Sequence, residues 1–322
     1  MGCYKNICLV DTPYALSIYL LKISMDDIKK TLFFIGDSVN VNIAKKLPHY
    51  VLVRNQSAQS DWKYMSWLRF YKYIKCCYYG FTNLYVQDHL YIASQFIGHY
   101  KYVNLPDSPE CYSTWEKSPY QPWKPSPKSL KQKIKNFLSH GAMYDLKYGM
   151  NNQCINRWVM NQQEQYTLYM KGRKSEVVNA ADLWRNADID KKELLKNVFY
   201  ISEEDITRMQ DAETIILTQP LREDCKLTNK EMYDIYAPYI RGTSKVIIKP
   251  HPRDKFDWGK SFNNVYVLES RAPMQLLNYM GFAPKRAMTV SSSSISAMPE
   301  STEKIYLGTK INDKIFQIYG DL

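Results

Sequence analysis

The chain has 322 residues, of which 45% are hydrophobic and 23% charged. This balance excludes an intrinsically disordered protein, and the length allows one large domain or two of ordinary size. The formal net charge of +11 is expected of a protein that meets an anionic substrate, a nucleic acid or an anionic membrane surface, and it does not choose among them.

Short apolar runs alternate with helical patterns through the first half of the chain. They predict strands at 6–10, 31–35, 49–54, 84–87 and 102–105, with a helix over 14–22. Such alternation favours a parallel sheet covered by helices on both faces. Residues rich in Pro, Ser and Trp predict a loop at 106–127, and a basic helix follows at 128–135. The pattern from 151 to 176 is mixed and assigns no element.

A second series of the same kind occupies the rest of the chain. Strands are predicted at 214–218, 245–249, 264–268, 287–290 and 304–307, and helices at 179–197, 202–210, 229–239 and 273–281. We therefore expect an α/β protein with two Rossmann-like domains that face each other across a cleft, at residues 1–165 and 166–322. Ligands of such sheets bind beyond the carboxyl ends of the strands, so the residues that follow the strands are the candidates for function.

The segment Lys249-Pro250-His251-Pro252-Arg253 ends one of these strands. The two prolines stop the strand and hold the imidazole in a defined place. An imidazole there can donate a hydrogen bond to a phosphate or protonate a leaving group, and the two flanking basic residues add positive charge. The alternative is a surface turn with an incidental histidine.

Four serines, Ser291 to Ser294, follow another predicted strand. Serine is typical of a helix N-terminus, where free backbone N–H groups bind anions and phosphate above all. A plain helix cap followed by linker serines is the alternative. Because the His251 segment lies in the same predicted domain, the pair favours phosphate binding.

Carboxylates follow two strands, at Asp107 and at Glu223 and Asp224. A carboxylate at a ligand-binding cleft can act as a general base that deprotonates a bound hydroxyl.

The aromatic and basic stretch 62–79 supports a different function, because such residues can stack on single-stranded nucleic acid. Its apolar residues also fall at helical spacing, which is equally consistent with a core helix or with a helix on an anionic membrane. No P-loop, GxGxxG or nucleic-acid motif is present.

The sequence resembles bacterial sialyltransferases of glycosyltransferase family 52. The resemblance rests on five segments in this order: the strand before Thr12-Pro13, the acidic strand end at 107, the Gln219-to-Asp224 segment, the His251 segment and the serines. That family includes lipooligosaccharide and capsular sialyltransferases. The resemblance implies a GT-B fold, with the nucleotide held mainly by the C-terminal domain. It also implies CMP-sialic acid as donor, and inverting, metal-independent chemistry.

The resemblance assigns residues as follows. His251 would contact the CMP phosphate and assist its departure, and the general base would be Asp224 or Asp107. Around Asp107 the family's acidic motif is degenerate, since Pro106 and Ser108 replace its first acid and its glycine. The Asp224 segment also departs from the family, because Cys225 follows Asp224 where glycine is common. The donor-binding set is Thr12, Lys249, Pro250, His251, Pro252, Gln275, Ser292, Ser293 and Ser294. Gln275 replaces a glutamate that binds ribose hydroxyls in related enzymes.

The expected partners are a nucleotide-sugar donor and a glycan acceptor, with no cofactor, metal or nucleic acid. The nearest alternative is a transferase for another nucleotide sugar on the same fold, followed by a nucleic-acid-binding protein and a non-catalytic glycan-binding protein. No signal peptide is visible, and the seven cysteines, odd in number and without a CxxC pair, favour a reducing compartment. We therefore expect a cytoplasmic protein, with the basic stretches as a peripheral contact to the inner face of the bacterial membrane. A homodimer is left open.

Overall fold

The structure is a computed structural model that describes residues 4–54, 80–97, 100–113, 129–130, 148–167 and 170–321. It divides into two compact units, Met1–Val198 and Phe199–Leu322. The basic stretch 62–79 lies outside the described residues, as does all but 129–130 of the basic segment 128–135. Within the described residues, no helix combines the length and hydrophobicity needed to cross a bilayer.

The first unit is built on a parallel sheet with the strand order β3-β2-β1-β4-β5-β6-β7. The strands are β1 (Asn6–Val10), β2 (Thr31–Ile35), β3 (Tyr50–Leu52), β4 (Asn83–Val86), β5 (Tyr102–Asn104), β6 (Cys154–Val159) and β7 (Ser175–Val177). The first five confirm the predicted strands. The last two lie in the stretch that the sequence pattern left unassigned.

Helices surround this sheet. Their bounds are α1 (Pro13–Lys22), α2 (Met25–Lys29), α3 (Val41–Ala44), α4 (Ser94–Ile97), α5 (Gln162–Gln165), α6 (Ala180–Asn186) and α7 (Ile189–Phe199). The single helix predicted over 179–197 is wrong, because the chain is extended at Ala187 and starts a new helix. Asp188 makes the restart favourable, since its carboxylate accepts a hydrogen bond of 2.7 Å from the backbone N–H of Lys191.

The centre of the first sheet is buried and mostly apolar, with Asn6 and Thr31 as the buried polar residues of its two central strands. All five residues of β1 and all five of β2 are buried, and Leu9, Phe34 and Phe96 belong to one core cluster. Beyond β1, the Asp11 carboxylate accepts hydrogen bonds from the N–H and hydroxyl of Ser38, at 2.9 and 3.1 Å. Gly36 permits this close approach, because a Cβ there would lie 2.0 Å from an Asp11 carboxylate oxygen.

The second unit has a smaller parallel sheet with the order β10-β9-β8-β11-β12. Its strands are β8 (Thr214–Leu217), β9 (Val246–Lys249), β10 (Val265–Val267), β11 (Arg286–Thr289) and β12 (Glu303–Tyr306), each at a predicted position. Its helices are α8 (Glu203–Asp211), α9 (Leu221–Cys225), α10 (Asn229–Ile240), α11 (Trp258–Ser261), α12 (Met274–Tyr279) and α13 (Asp313–Tyr319).

Both sheets have the strand order of a Rossmann-like fold, with a switch point between β1 and β4 in the first unit and between β8 and β11 in the second. The two predicted Rossmann-like domains are thus confirmed. The compact units divide after Val198 rather than at the predicted boundary after residue 165. The reason is that β7 pairs with β6, from Arg157 opposite Ser175 to Val159 opposite Val177, so the following residues extend the first sheet.

Candidate active site

The His251 turn follows β9, with Pro250 and Pro252 on either side of the histidine. The backbone N–H of His251 donates to Thr218 Oγ1 at 3.1 Å. The backbone N–H of Arg253 donates to His251 Nδ1 at 3.1 Å. Because Nδ1 accepts a hydrogen bond, the neutral ring carries its proton on Nε2. Burial, and then the charge of Arg253, lower the pKa of His251, so at neutral pH the ring is a neutral Nε2–H donor.

An aspartate that the sequence reasoning missed fixes this turn. The Asp254 carboxylate accepts from the Thr218 hydroxyl at 2.5 Å, from the Trp258 indole N–H at 3.0 Å and from the Phe256 N–H at 3.0 Å. Its own N–H donates to the carbonyl of His251 at 2.9 Å. Thr218 therefore links Asp254 to the backbone of His251. The only signal in the sequence was the position of Asp254, directly after the motif.

Asp224 lies on the short helix α9, and not in the strand-end loop that the sequence pattern predicted. Its two carboxylate oxygens accept from the two terminal nitrogens of Arg253, at 2.8 and 2.9 Å. The Tyr319 hydroxyl donates to Oδ2 at 2.9 Å. The hydrogen bonds from Arg253 are the main reason that the pKa of Asp224 is lowered. In this arrangement the carboxylate is a weak proton acceptor.

Lys249 is the last residue of β9 and is partly buried. Its ammonium group donates a long hydrogen bond, 3.5 Å, to the carbonyl of Ser270. Burial, and then the charge of Arg271, lower the pKa of Lys249 to about 8. A desolvated cation of this kind gains from an anionic ligand, which would restore the charged form.

The serine turn, Ser291 to Ser294, follows β11 and leads into one 3₁₀ turn, Ser293–Ala297, in place of a longer helix. Ser291 donates from its N–H and its hydroxyl to Gln219 Oε1, at 3.0 and 2.8 Å. The Ser292 hydroxyl accepts from the N–H of Ser294 at 3.3 Å. Within the described part of the chain, the exposed hydroxyls of Ser293 and Ser294 have no hydrogen-bond partner. Two of the serines thus build the turn, and two present free donors.

Gln275 lies in the first turn of α12. This helix is tied to the serine turn, because the side-chain amide of Asn278 donates to the carbonyl of Ala297. The structure therefore brings the predicted ribose-binding position and the predicted phosphate-binding serines onto adjacent elements.

The first unit holds the remaining predicted residues, Thr12 and Asp107. Gln87, a buried residue after β4, joins them: its amide nitrogen donates to Asp107 Oδ1 at 2.8 Å and to the Thr12 hydroxyl at 3.2 Å. Its amide oxygen accepts from the N–H of Asp11 at 2.7 Å. His89 Nε2 lies 3.7 Å from Asp107 Oδ1. Sequence reasoning missed both Gln87 and His89.

Thr12 was predicted to bind the donor, and its hydroxyl also has a local structural role. It caps α1 by accepting from the N–H of Ala15 at 3.2 Å. The other residues predicted to bind the donor belong to the second unit. Among the described residues, no three His, Cys, Asp or Glu side chains form a group that could hold a metal ion.

Comparison with known families identifies the chain. The sequence profile of glycosyltransferase family 52 matches residues 122–314, more than half of the chain. The chain belongs to glycosyltransferase family 52. The matched residues include Asp224, His251 and the serine turn, whereas Thr12 and Asp107 precede them.

Solved structures agree with this membership at the level of the fold. The GT-B domain of a Photobacterium damselae sialyltransferase matches 98% of this chain and 96% of its own, at 12% identity and a TM-score of 0.57. A 2,6-sialyltransferase of Photobacterium sp. JT-ISH-224, solved with CMP and lactose, covers 98% of this chain and 75% of its own, at 10% identity and a TM-score of 0.58. The family 52 glycosyltransferase therefore has the predicted GT-B fold.

A sequence relative occurs in Haemophilus influenzae strain Rd. This uncharacterized protein is 29% identical over 247 residues, which are 75% of this chain and 73% of the relative.

Proposed function

We propose that this glycosyltransferase is an inverting sialyltransferase. It moves sialic acid from CMP-sialic acid to a galactose-type hydroxyl of a surface glycan, such as lipooligosaccharide or capsule. The observation that carries the proposal is the His251 turn, a rigid donor of one hydrogen bond at the carboxyl end of a Rossmann-like sheet. Family membership and the sialyltransferase fold neighbours, one of them solved with CMP and lactose, support the donor and the acceptor class.

The chemistry of the second unit suits a departing phosphate. As the bond to the sugar breaks, negative charge grows on the phosphate oxygens of CMP, and the anomeric carbon becomes oxocarbenium-like. His251 has its Nε2–H available, Ser293 and Ser294 have free hydroxyls, and Lys249 supplies a partly desolvated cation. Fixed donors and charges of this kind stabilise developing charge without reorganising during the reaction. We propose that these side chains, with no metal ion, neutralise the leaving group.

Two carboxylates are proposed for the general base, and their surroundings differ. Asp107 uses Oδ1 to bind Gln87, and its side chain is 43% exposed. Its Oδ2 has no hydrogen-bond partner among the described residues, so it is open to an acceptor hydroxyl. Both oxygens of Asp224 are occupied by Arg253. In the free chain Asp107 is therefore the more available base, and Asp224 could act only after Arg253 has moved.

The decisive experiment is incubation of the protein with CMP-sialic acid and a panel of galactosides, followed by mass spectrometry. A product heavier by one sialyl residue supports the proposal, and NMR of its anomeric centre tests inversion. Parallel thermal-shift measurements with CMP, UDP and GDP distinguish the donors. Stabilisation by UDP or GDP but not by CMP would replace sialic acid with another nucleotide sugar.

His251→Ala is the matching test of mechanism. Loss of one preorganised donor to a charged leaving group is expected to reduce turnover by roughly 10²–10³-fold. His49→Ala is the control, because this histidine lies in the first unit against Tyr4. Full activity of the His251 variant would refute the role of this histidine at the leaving phosphate.

A further inference from the structure

Arg253 and Asp224 form an ion pair beside the His251 turn. The guanidinium makes two parallel hydrogen bonds to the carboxylate, at 2.8 and 2.9 Å. The pair is unevenly exposed, since the Arg253 side chain is 63% exposed and that of Asp224 25%. The arginine is thus the partner that can move, while the aspartate is fixed on α9.

The position of Arg253 makes it a ligand for the same anion as His251. Its backbone N–H holds His251 Nδ1, so the two side chains leave one turn with a single residue between them. Its charge reaches the imidazole, since it lowers the pKa of His251. A guanidinium binds phosphate and carboxylate by the same two-pronged geometry. Exchange of one for the other therefore keeps its hydrogen bonds.

Asp224 would stay in place if Arg253 left. The Tyr319 hydroxyl donates to Oδ2 at 2.9 Å, and that contact does not depend on Arg253. One oxygen would remain anchored, and Oδ1 would become free to accept a proton.

We propose that Arg253 is shared between two anions: it holds Asp224 in the free enzyme and turns to the donor phosphate when the nucleotide binds, which releases Asp224. This inference rests on the proposed function, because the second anion is the phosphate of the CMP-linked donor. It adds Arg253, which lies outside the predicted donor-binding set, to the residues that bind the donor. It also makes the carboxylate available only in an enzyme that has its donor.

The size of the effect follows from the competition. An exposed ion pair shifts an equilibrium by up to about fivefold. Because Asp224 competes with the nucleotide for Arg253, it should weaken nucleotide binding by about that factor. Removing its charge should tighten CMP binding about fivefold. Removing the guanidinium should weaken binding about tenfold, because a charge-assisted, two-pronged contact is lost.

The test is the affinity of the full chain for CMP, measured by isothermal titration calorimetry in four proteins: the unmodified chain, Asp224→Asn, Arg253→Gln and the double variant. We expect Asp224→Asn to tighten binding alone, and to change it by less than about twofold when Arg253 is already replaced, since the competition is then absent. Glu231→Gln is the control for loss of a paired negative charge, because Glu231 pairs with Lys314 at 2.8 Å elsewhere in the same unit. It should leave CMP affinity unchanged.

Other outcomes would overturn the inference. If Asp224→Asn tightens binding equally in both backgrounds, the aspartate acts only by general repulsion. If it has no effect or weakens binding, Arg253 is not shared. Should Asp224→Asn fail to fold, Arg253→Lys serves in its place: it alters only the exposed partner, and unchanged CMP affinity would refute the contact. A failure confined to Arg253 and Asp224, with His251→Ala still weakening CMP, leaves the proposed function intact. Absence of CMP binding by the unmodified chain rejects both.

Discussion

Asp254→Ala should destabilise the second unit and displace the His251 turn. The substitution removes three hydrogen bonds to one carboxylate, from Thr218, Trp258 and Phe256. The indole of Trp258 is only 2% exposed, so its N–H is left buried without an acceptor. Such a loss costs about 1–3 kcal/mol, and each bond to an ionised group contributes about 1.5–3 kcal/mol. Since a rotated Thr218 hydroxyl recovers part of this, we expect a loss of about 3–5 kcal/mol in the free energy of unfolding.

The assay is urea unfolding, with the transition of the second unit assigned by hydrogen exchange in peptides from β9. For a unit of this size, the expected loss also lowers the midpoint of thermal unfolding by roughly 10–15 °C. Turnover should fall by about 10²-fold, because Thr218 no longer holds the backbone of His251 and small displacements of a catalytic group are costly.

Asp257→Ala is the matched control three residues along the chain. Its carboxylate caps α11 by accepting from the N–H of Lys260 at 3.2 Å, and loss of an exposed cap costs about 1 kcal/mol. The reasoning is refuted if the Asp254 variant is no less stable than this control. A stable Asp254 variant with normal turnover would show that Thr218 positions His251 unaided.

Three further predictions concern charge, the base and the first unit. CMP binding should weaken as the pH rises through about 8, because the pKa of Lys249 is lowered to about 8 and anion binding favours its charged form. Lys249→Arg should remove this pH dependence. If the variant retains it, the titrating group is not Lys249. At saturating donor, Asp107→Asn and Asp224→Asn should differ in turnover, with the true base losing roughly 10²–10⁴-fold; equal, small losses would reject both. Gln87→Leu should destabilise the first unit by about 2–4 kcal/mol, since it strands the buried N–H of Asp11. Gln219 is a half-buried residue of the second unit whose side chain accepts hydrogen bonds from Ser291. Gln219→Leu should therefore lower the free energy of unfolding by less, as measured by urea unfolding.

Strands were predictable because parallel strands in these sheets are continuous apolar runs. The pattern at 6–10 and 31–35 matches β1 and β2 at both ends. β6 was missed because Arg157 lies inside it. That guanidinium is buried and donates to the carbonyls of Gly149 and Lys174. Its partners are not its neighbours in the sequence. The sequence pattern therefore shows only a charged residue that interrupts the apolar run of the strand.

Individual site residues were predictable, and their partners were not. The prolines around His251 and the serines after β11 mark positions where a strand must stop, which is a local property. The pairs that set their chemistry join distant parts of the chain: Arg253 meets Asp224 from 29 residues away, and Tyr319 meets it from 95. The sequence therefore indicated Asp224 as a free carboxylate, whereas the structure shows it in an ion pair with Arg253.

The borders of the two sheets have a consequence for self-association. In the described part of the chain, the outermost strands are β3, β7 and β10, with three residues each, and β12, with four. Unpaired backbone groups at a sheet border can recruit a strand from a second molecule, and short or charged borders suppress this. β12 begins with Glu303 and Lys304. Copies of this enzyme should therefore resist edge-to-edge aggregation, and a homodimer would have to form through side chains and not through a shared sheet.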